Sequence, residues 1–128
     1  MTVSEQVSVL ERLQTDGILP AACPTRTVLD HVTSKWGVLL LVALSESGMR
    51  WGELRRVVEG ISEKMLAQTL RTLEADGLVH REVTATVPPR VDYSLTALGA
   101  DLVARLLPLM DWIVDHADDI VNGPVATA

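Results

Sequence analysis

Apolar side chains recur at helical spacing in a stretch near the middle of the chain, residues 61–77. Leu66, Leu70 and Leu73 fall on one side of a helix, and Thr69 lies beside them. A side of this kind packs against a core in a folded protein. The stretch therefore predicts an amphipathic helix that is anchored through its leucines.

The same stretch carries end signals and a polar side. Ser62 is a good N-cap because its hydroxyl accepts a hydrogen bond from a free backbone N–H, and Gly77 favours the left-handed stop of a helix. Lys64, Gln68 and Arg71 form a narrow stripe opposite the leucines. Such side chains reach phosphates and base edges in a DNA major groove, so we predict a recognition helix and include Ser62 among its DNA contacts. The alternative is that Lys64 and Arg71 only solvate the surface.

Three helices are predicted before residue 48. Residues 4–14 form a weak amphipathic helix, and a second helix begins at Pro24, which suits a first helical turn. A third helix runs from about Ser34 to Ser47 and is apolar on nearly every side, so it is expected at the centre of the core. The residues that the second helix offers to the core are Val28, Leu29 and Val32.

A short strand at 49–51 and a helical turn or two at 52–59 lead into the predicted recognition helix. In the pattern of 52–59, Leu54, Val57 and Val58 face inward, while Arg55 and Arg56 face outward. Two short helices joined by a tight turn with glycine are typical of a helix-turn-helix. Arg50, Arg55 and Arg56 are therefore candidate phosphate anchors, with ordinary surface charge as the alternative.

After Gly77 the pattern changes from helical to strand-like. Residues 91–95 alternate apolar with polar, and 78–83 are a less regular partner strand. The connection between them holds two prolines, which stiffen it. A hairpin directly after a recognition helix predicts a winged helix, and Arg90 at the root of the wing is placed to touch a phosphate or the minor groove.

A long last helix is predicted from residue 97 to about 122, capped by Thr96. Pro108 in its middle is expected to kink it or divide it in two. Its apolar residues exceed what one small domain can cover, so we infer a dimer built from this helix and the N-terminal one. The predicted interface residues are Leu106, Leu109, Trp112 and Ile113.

Length and charge limit these interpretations. The 128 residues suit a single domain, and the net charge of −6 argues against a nucleic-acid partner. The charge is unevenly distributed: residues 50–90 hold seven Lys/Arg and six Asp/Glu, so the excess of acidic residues lies towards the two ends of the chain.

No signal peptide or membrane span is expected, and the single cysteine excludes an internal disulfide, so a reducing cytoplasm is the expected location. The three histidines and the acidic residues at 115–119 lack the spacing of a metal site, so no metal is expected.

Cys23 is the one soft nucleophile in the chain. It precedes the predicted helix start at Pro24, and Arg26 is close in sequence, which favours the thiolate. A thiolate can be oxidised or alkylated, so a sensor is one interpretation. The other is that Cys23 fills space beneath the N-terminal helix.

Six ordered motifs between residues 23 and 112 resemble those of the bacterial HxlR-type winged-helix transcriptional regulators, which are MarR-like. One weak motif means little, but six in order form a strong signal. The motifs are C-P at 23–24, K-W at 35–36, G-x-R-[aromatic]-x-E-L at 48–54, I-S-E-K-M-L at 61–66, L-x-x-L-E-x-D-G-L at 70–78 and V-P-P-R-V-x-Y-S-L-T-x-L-G at 87–99.

The resemblance implies a homodimeric repressor or activator that binds a palindromic operator in double-stranded DNA. It also implies a response to electrophiles or oxidants through a cysteine near the N-terminus, here Cys23. Two positions depart from the family pattern: Trp51 stands where phenylalanine is usual, and Thr69 where a basic or amide residue is frequent. The expected fold is mainly α (α+β), a single winged helix-turn-helix domain over 1–128 with a wing sheet of two to three strands. Its core and wing cover 23–96, and 4–14 and 97–122 are the dimerisation helices.

Two other functions compete with DNA-binding regulation. A winged-helix module used only for protein contacts is favoured by the acidic net charge. A thiol enzyme using Cys23 is the weakest, because no Cys-His or CxxC arrangement accompanies the thiol. We therefore expect no enzymatic activity and no cofactor.

Overall fold

The structure, a computed structural model, describes residues 3–15 and 24–123, and in the first helix side chains from residue 8 onward. Three helices come first, followed along the chain by a short strand, two more helices, a pair of strands and a long last helix. They are α1 (Val3–Thr15), α2 (Pro24–Thr33), α3 (Lys35–Ala43), β1 (Met49–Arg50), α4 (Trp51–Val57), α5 (Glu63–Ala75), β2 (Val79–Thr84), β3 (Arg90–Leu95) and α6 (Ala97–Val121). This is the winged helix-turn-helix that the sequence predicts.

The core is built around α3, which packs against α5 and α6. Leu40 and Leu41 are fully buried, and Ser34 caps the helix by accepting a hydrogen bond from the Gly37 N–H at 3.1 Å. The helix ends at Ala43, four residues before the predicted end, because the chain closes with a tighter turn there. Aliphatic side chains supply nearly all of the core, as expected for a chain without phenylalanine.

The sheet has three antiparallel strands in the order β1-β3-β2. Residues Met49 of β1 and Arg81 of β2 both pair with Tyr93 of β3. The predicted strand at 49–51 is one residue shorter, because Trp51 already begins α4. The sheet thus joins the wing to the start of the helix-turn-helix.

Two predicted core contacts are wrong. Val57 is 56% exposed, because α4 ends at this residue and of the two adjacent valines only Val58 enters the core, as predicted. Val28 is 51% exposed, and no residue of α2 is fully buried, because one side of this helix is left open next to α6.

The last helix is continuous through Pro108, so of the two predicted outcomes, a kink or a division, the division does not occur. Proline removes one backbone N–H from the helix ladder, and here Pro108 is exposed, where water can hydrate the carbonyl left without a partner. Leu106 is only 8% exposed and belongs to the core of the protomer. Its side chain is therefore covered already, which removes Leu106 from the predicted dimer interface. No helix among the described residues is long and apolar enough to span a membrane.

Gly99 lies at a position where the fold leaves no room for a side chain. A Cβ at this position would overlap the carbonyl oxygen of Leu78, where the start of α6 crosses the end of the α5–β2 connection. We expect Gly99→Ala to lower the free energy of unfolding by about 1–3 kcal/mol, because the backbone must shift.

Chemical denaturation of Gly99→Ala and of the wild-type protein measures the difference in their free energy of unfolding. Gly52→Ala is the matched control, since a Cβ at Gly52 meets nothing within 4 Å and alanine favours a helix. Equal stability of Gly99→Ala and the wild-type protein would contradict the close approach of α6 to Leu78.

Candidate nucleic-acid interface

The second helix of the helix-turn-helix, α5, is fixed at both ends by local hydrogen bonds and backbone geometry. The Ser62 hydroxyl accepts a hydrogen bond from the Met65 N–H at 3.0 Å, which is the N-cap that the sequence predicts. Gly77 has φ of +77°, a conformation that side-chain-bearing residues rarely adopt. Gly60, with φ of +89°, makes the turn between α4 and α5.

The inner side of α5 is buried by the residues that the sequence selects. Leu66, Leu70 and Leu73 are at most 2% exposed, and Thr69 is 9% exposed. The family resemblance implies a basic or amide residue at the position of Thr69, but here the Thr69 side chain belongs to the buried side. We therefore do not assign it a contact with DNA.

The outer side of α5 presents Lys64, Gln68 and Arg71 to solvent, and we call these three residues the outer stripe. Among the described residues, neither Lys64 nor Arg71 makes an ion pair. Three long donor side chains at i, i+4 and i+7 point away from the core together. They are therefore free to donate hydrogen bonds to a surface that docks against α5.

The four candidate phosphate anchors are all exposed, but three of them are paired with a carboxylate of the same protomer. Only Arg56 makes no ion pair within the described residues. A phosphate must compete with the carboxylate at the other three, which reduces the gain from each contact. The three pairs are Arg50–Glu53 at 3.7 Å, Arg55–Glu63 at 2.9 Å and Arg90–Asp92 at 3.0 Å.

Arg90 contacts both oxygens of its carboxylate partner. Its Nε donates to both carboxylate oxygens of Asp92, and these hydrogen bonds, with the charge of Asp92, raise the pKa of the Arg90 guanidinium. Both residues lie on β3, so the pair forms within the strand at the root of the wing. Arg90 keeps its positive charge there, directed along the strand.

Arg81 is an exposed arginine on β2 that the sequence pattern does not single out. The strand register places it opposite Tyr93, which is buried at 7% exposure. Side chains of directly paired residues share one face of a sheet, so Arg81 lies on the same face as the buried tyrosine. Its spacing of two residues from both Val79 and Val83, which puts the three side chains on one face of the strand, was the available signal, but the register was needed to interpret it.

Cys23 lies outside the described residues, so its surroundings are not assigned. The described chain resumes at Pro24, which is the first residue of α2, as the sequence predicts. At the other end of α2, the His31 Nδ1 atom lies 2.8 Å from the Asp76 carboxylate at the C-cap of α5. This contact links α2 to the recognition helix. The described part of the chain holds no group of three or more potential metal ligands.

The protein is thus a winged helix-turn-helix with a polar outer stripe on the second helix of its motif. Residues 31–120 match the model of the HxlR-like helix-turn-helix family. The chain belongs to this family, whose members are transcriptional regulators and not enzymes.

Individual relatives agree with this assignment. The uncharacterized HTH-type transcriptional regulator YtfH of Escherichia coli (strain K12) is 50% identical over 108 residues, which are 84% of this chain and 86% of that protein. The solved structure of ytfH from Salmonella typhimurium is 46% identical and superposes with a TM-score of 0.78, covering 83% of this chain and 95% of that one. The redox regulator HypR in its oxidized form is 41% identical with a TM-score of 0.67, covering 73% and 96%.

Two substitutions of Ser62 test its capping role. We expect Ser62→Ala to lower the free energy of unfolding by about 1 kcal/mol, because the Met65 N–H loses its acceptor. Ser62→Asp restores an acceptor and should match the wild-type protein. Urea denaturation measures both, and an unchanged Ser62→Ala protein would contradict the capping role.

Proposed function

We propose that the protein is a homodimeric, sequence-specific DNA-binding transcriptional regulator whose α5 enters the major groove of a palindromic operator. The single observation that carries this proposal is the outer stripe of Lys64, Gln68 and Arg71, held outward by the buried leucines behind it. Arginine reads guanine and glutamine reads adenine through paired hydrogen bonds, while lysine contacts phosphates or guanine. One helical face therefore carries both positioning and base-reading groups.

The distribution of charged residues supports this interface, whereas the net charge does not. The net charge is −6, so approach to DNA as a whole is unfavourable, but residues 50–90 carry one more base than acid. Arg50, Arg55, Arg56 and Arg90 are the proposed phosphate contacts, three of them after exchange of a carboxylate partner. Binding of this kind weakens steeply as salt rises, since phosphate contacts release counterions.

The exposed apolar side of α6 supports the dimer. Within α6 the buried residues, Gly99, Val103 and Leu106, all precede Pro108. Beyond it Leu109, Trp112 and Ile113 are 51%, 52% and 42% exposed, which is costly for three large apolar side chains on one helix. A second copy of α6 would cover them, and two-fold symmetry would then match a palindromic site.

Substitution of Arg71 tests the contact of the outer stripe with DNA. We expect Arg71→Ala to lower affinity for the operator by a factor of about 10–100, because one bidentate base contact contributes about 1–3 kcal/mol. Gel retardation at moderate salt, with a DNA fragment from upstream of the gene for this protein, measures the loss.

Arg105→Ala is the control for charge alone. Arg105 is exposed on α6 and paired with Asp101 at 2.7 Å, away from the outer stripe. It should bind DNA like the wild-type protein, and both variants should sediment as dimers. Equal affinity of Arg71→Ala and Arg105→Ala would remove α5 from the interface.

A protein-contact module is the alternative, and the carboxylate pairing of three anchors favours it. The two functions differ in one measurement. A regulator retards its operator in a salt-dependent manner, whereas a module used only for protein contacts retards no fragment at any salt concentration.

We propose further that Cys23 responds to oxidants or electrophiles and so changes operator affinity. The support is its position beside the first residue of α2 and the similarity of the chain to a redox regulator, HypR. Because no second cysteine is present, oxidation of Cys23 gives either an adduct with a small thiol or a disulfide between subunits.

Treatment with diamide plus glutathione, compared in the wild-type protein and Cys23→Ser, tests this role. We expect operator affinity to change in the wild-type protein only, with full recovery after reduction, measured by gel retardation. Mass spectrometry identifies the product as adduct or cross-linked dimer. Identical responses of the two proteins would contradict the sensor role of Cys23.

A further inference from the structure

Met65 is an exposed apolar side chain on α5 that neither the core nor the outer stripe accounts for. It is 36% exposed, whereas the other large apolar side chains of this helix, Leu66, Leu70 and Leu73, are at most 2% exposed. Within the part of the chain that the structure describes, Met65 is neither in the core nor among the apolar residues packed against it. A single exposed apolar residue is common on protein surfaces, so its exposure alone assigns it no role.

The position of Met65 on α5 is more informative than its exposure. It lies in the first turn of the helix, and its backbone N–H donates a hydrogen bond to the Ser62 hydroxyl at 3.0 Å. At about 100° per residue, Met65 lies about 60° around the helix from Gln68, and the two residues are i, i+3 neighbours. Ala67 and Glu74 lie on the other side of the outer stripe, where they line a cleft against the wing sheet. Met65 therefore borders the outer stripe beside Gln68, on the side away from the wing.

The first turn of the second helix is the part of a helix-turn-helix that contacts base edges in the major groove. The donors of the outer stripe suit phosphates, guanine and adenine, but they gain nothing from the methyl group that thymine presents in this groove at C5. An apolar side chain does gain from covering that methyl group, because water leaves both surfaces. The unbranched thioether side chain of methionine also adapts its shape to the surface that it covers.

We propose that Met65 is a specificity-determining residue that reads thymine, through apolar contact of its side chain with the C5-methyl group in the major groove. This role rests on the DNA-binding function proposed above. The Cβ atoms of i, i+3 neighbours on a helix are about 5–6 Å apart, and successive base pairs are about 3.4 Å apart. The thymine therefore lies within two base pairs of the adenine that Gln68 reads.

Replacement of thymine by deoxyuridine tests this contact, because it removes the C5-methyl group and leaves the hydrogen bonds of the base pair in place. The operator is first mapped by footprinting on the DNA fragment used for Arg71→Ala, and each thymine of one half-site is then replaced singly. We expect one replacement to lower the affinity of the wild-type protein about fourfold, which is the effect of leaving one methyl group in water. The same replacement in both half-sites should lower it about fifteenfold, as measured by gel retardation.

Variants of two adjacent residues assign the methyl contact to one side chain. Met65→Ala should bind the thymine and deoxyuridine operators equally, because alanine does not reach the methyl group. Met65→Leu keeps an apolar side chain of similar size and should retain a preference for thymine. Lys64→Ala is the matched control, since it removes the neighbouring exposed side chain in the same helical turn. It should weaken binding to both operators and preserve the fourfold difference between them.

Two results would overturn the role of Met65 and leave the proposed regulator intact. One is equal affinity of the wild-type protein for the thymine operator and every deoxyuridine operator, and the other is a preference for thymine that Met65→Ala retains in full. In both cases the operator is still retarded. A wild-type protein that retards no fragment would overturn the regulator and the thymine contact together, and it would favour a protein partner that covers Met65.

Discussion

The burial of one leucine face fixes the rotation of α5 about its own axis, and the exposure of the outer stripe follows from it. Leu66, Leu70 and Leu73 are at most 2% exposed, and each buried leucine side chain contributes about 1.5–3 kcal/mol. Turning α5 far enough to hide Arg71 would expose these side chains and cost several kcal/mol. The polar residues opposite must therefore face outward, whatever their own interactions. Packing in the core therefore determines which side chains of α5 are exposed at the surface.

The exposed charges contribute little to the stability of the fold, but they affect the proposed contacts with phosphates. Surface ion pairs such as Arg55–Glu63 contribute at most about 1 kcal/mol, yet each one sets how readily its arginine reaches a phosphate. The proposed interface therefore combines contacts of two kinds. Lys64 and Arg71 are unpaired in the described chain, whereas Arg50, Arg55 and Arg90 must exchange partners. Specificity then depends on the first kind, and salt sensitivity on both.

The predictions from sequence were best where one element decides the outcome. Helical periodicity and the Ser62 and Gly77 signals located α5 to within two residues at each end, because caps and leucine spacing act within one helix. The alternation at 91–95 located β3, and its partner and the wing followed. The order of these elements was enough for the winged helix-turn-helix. The whole outer stripe lies on the predicted side of α5, although its contact with DNA stays a proposal.

The sequence by itself determined which segments are helices or strands and which side of α5 is apolar, since these depend on residues only a few positions apart. Only the tertiary structure decided which side chains meet across the fold. Of the two valines predicted in the core, Val58 is buried and Val57 is exposed, and Leu106 proved to be covered within the protomer. Arg81 gained its place beside Tyr93 through strand register, and Arg55 met Glu63 across the turn between two helices. Such contacts join residues far apart along the chain or on different elements, and their distances depend on how whole elements pack.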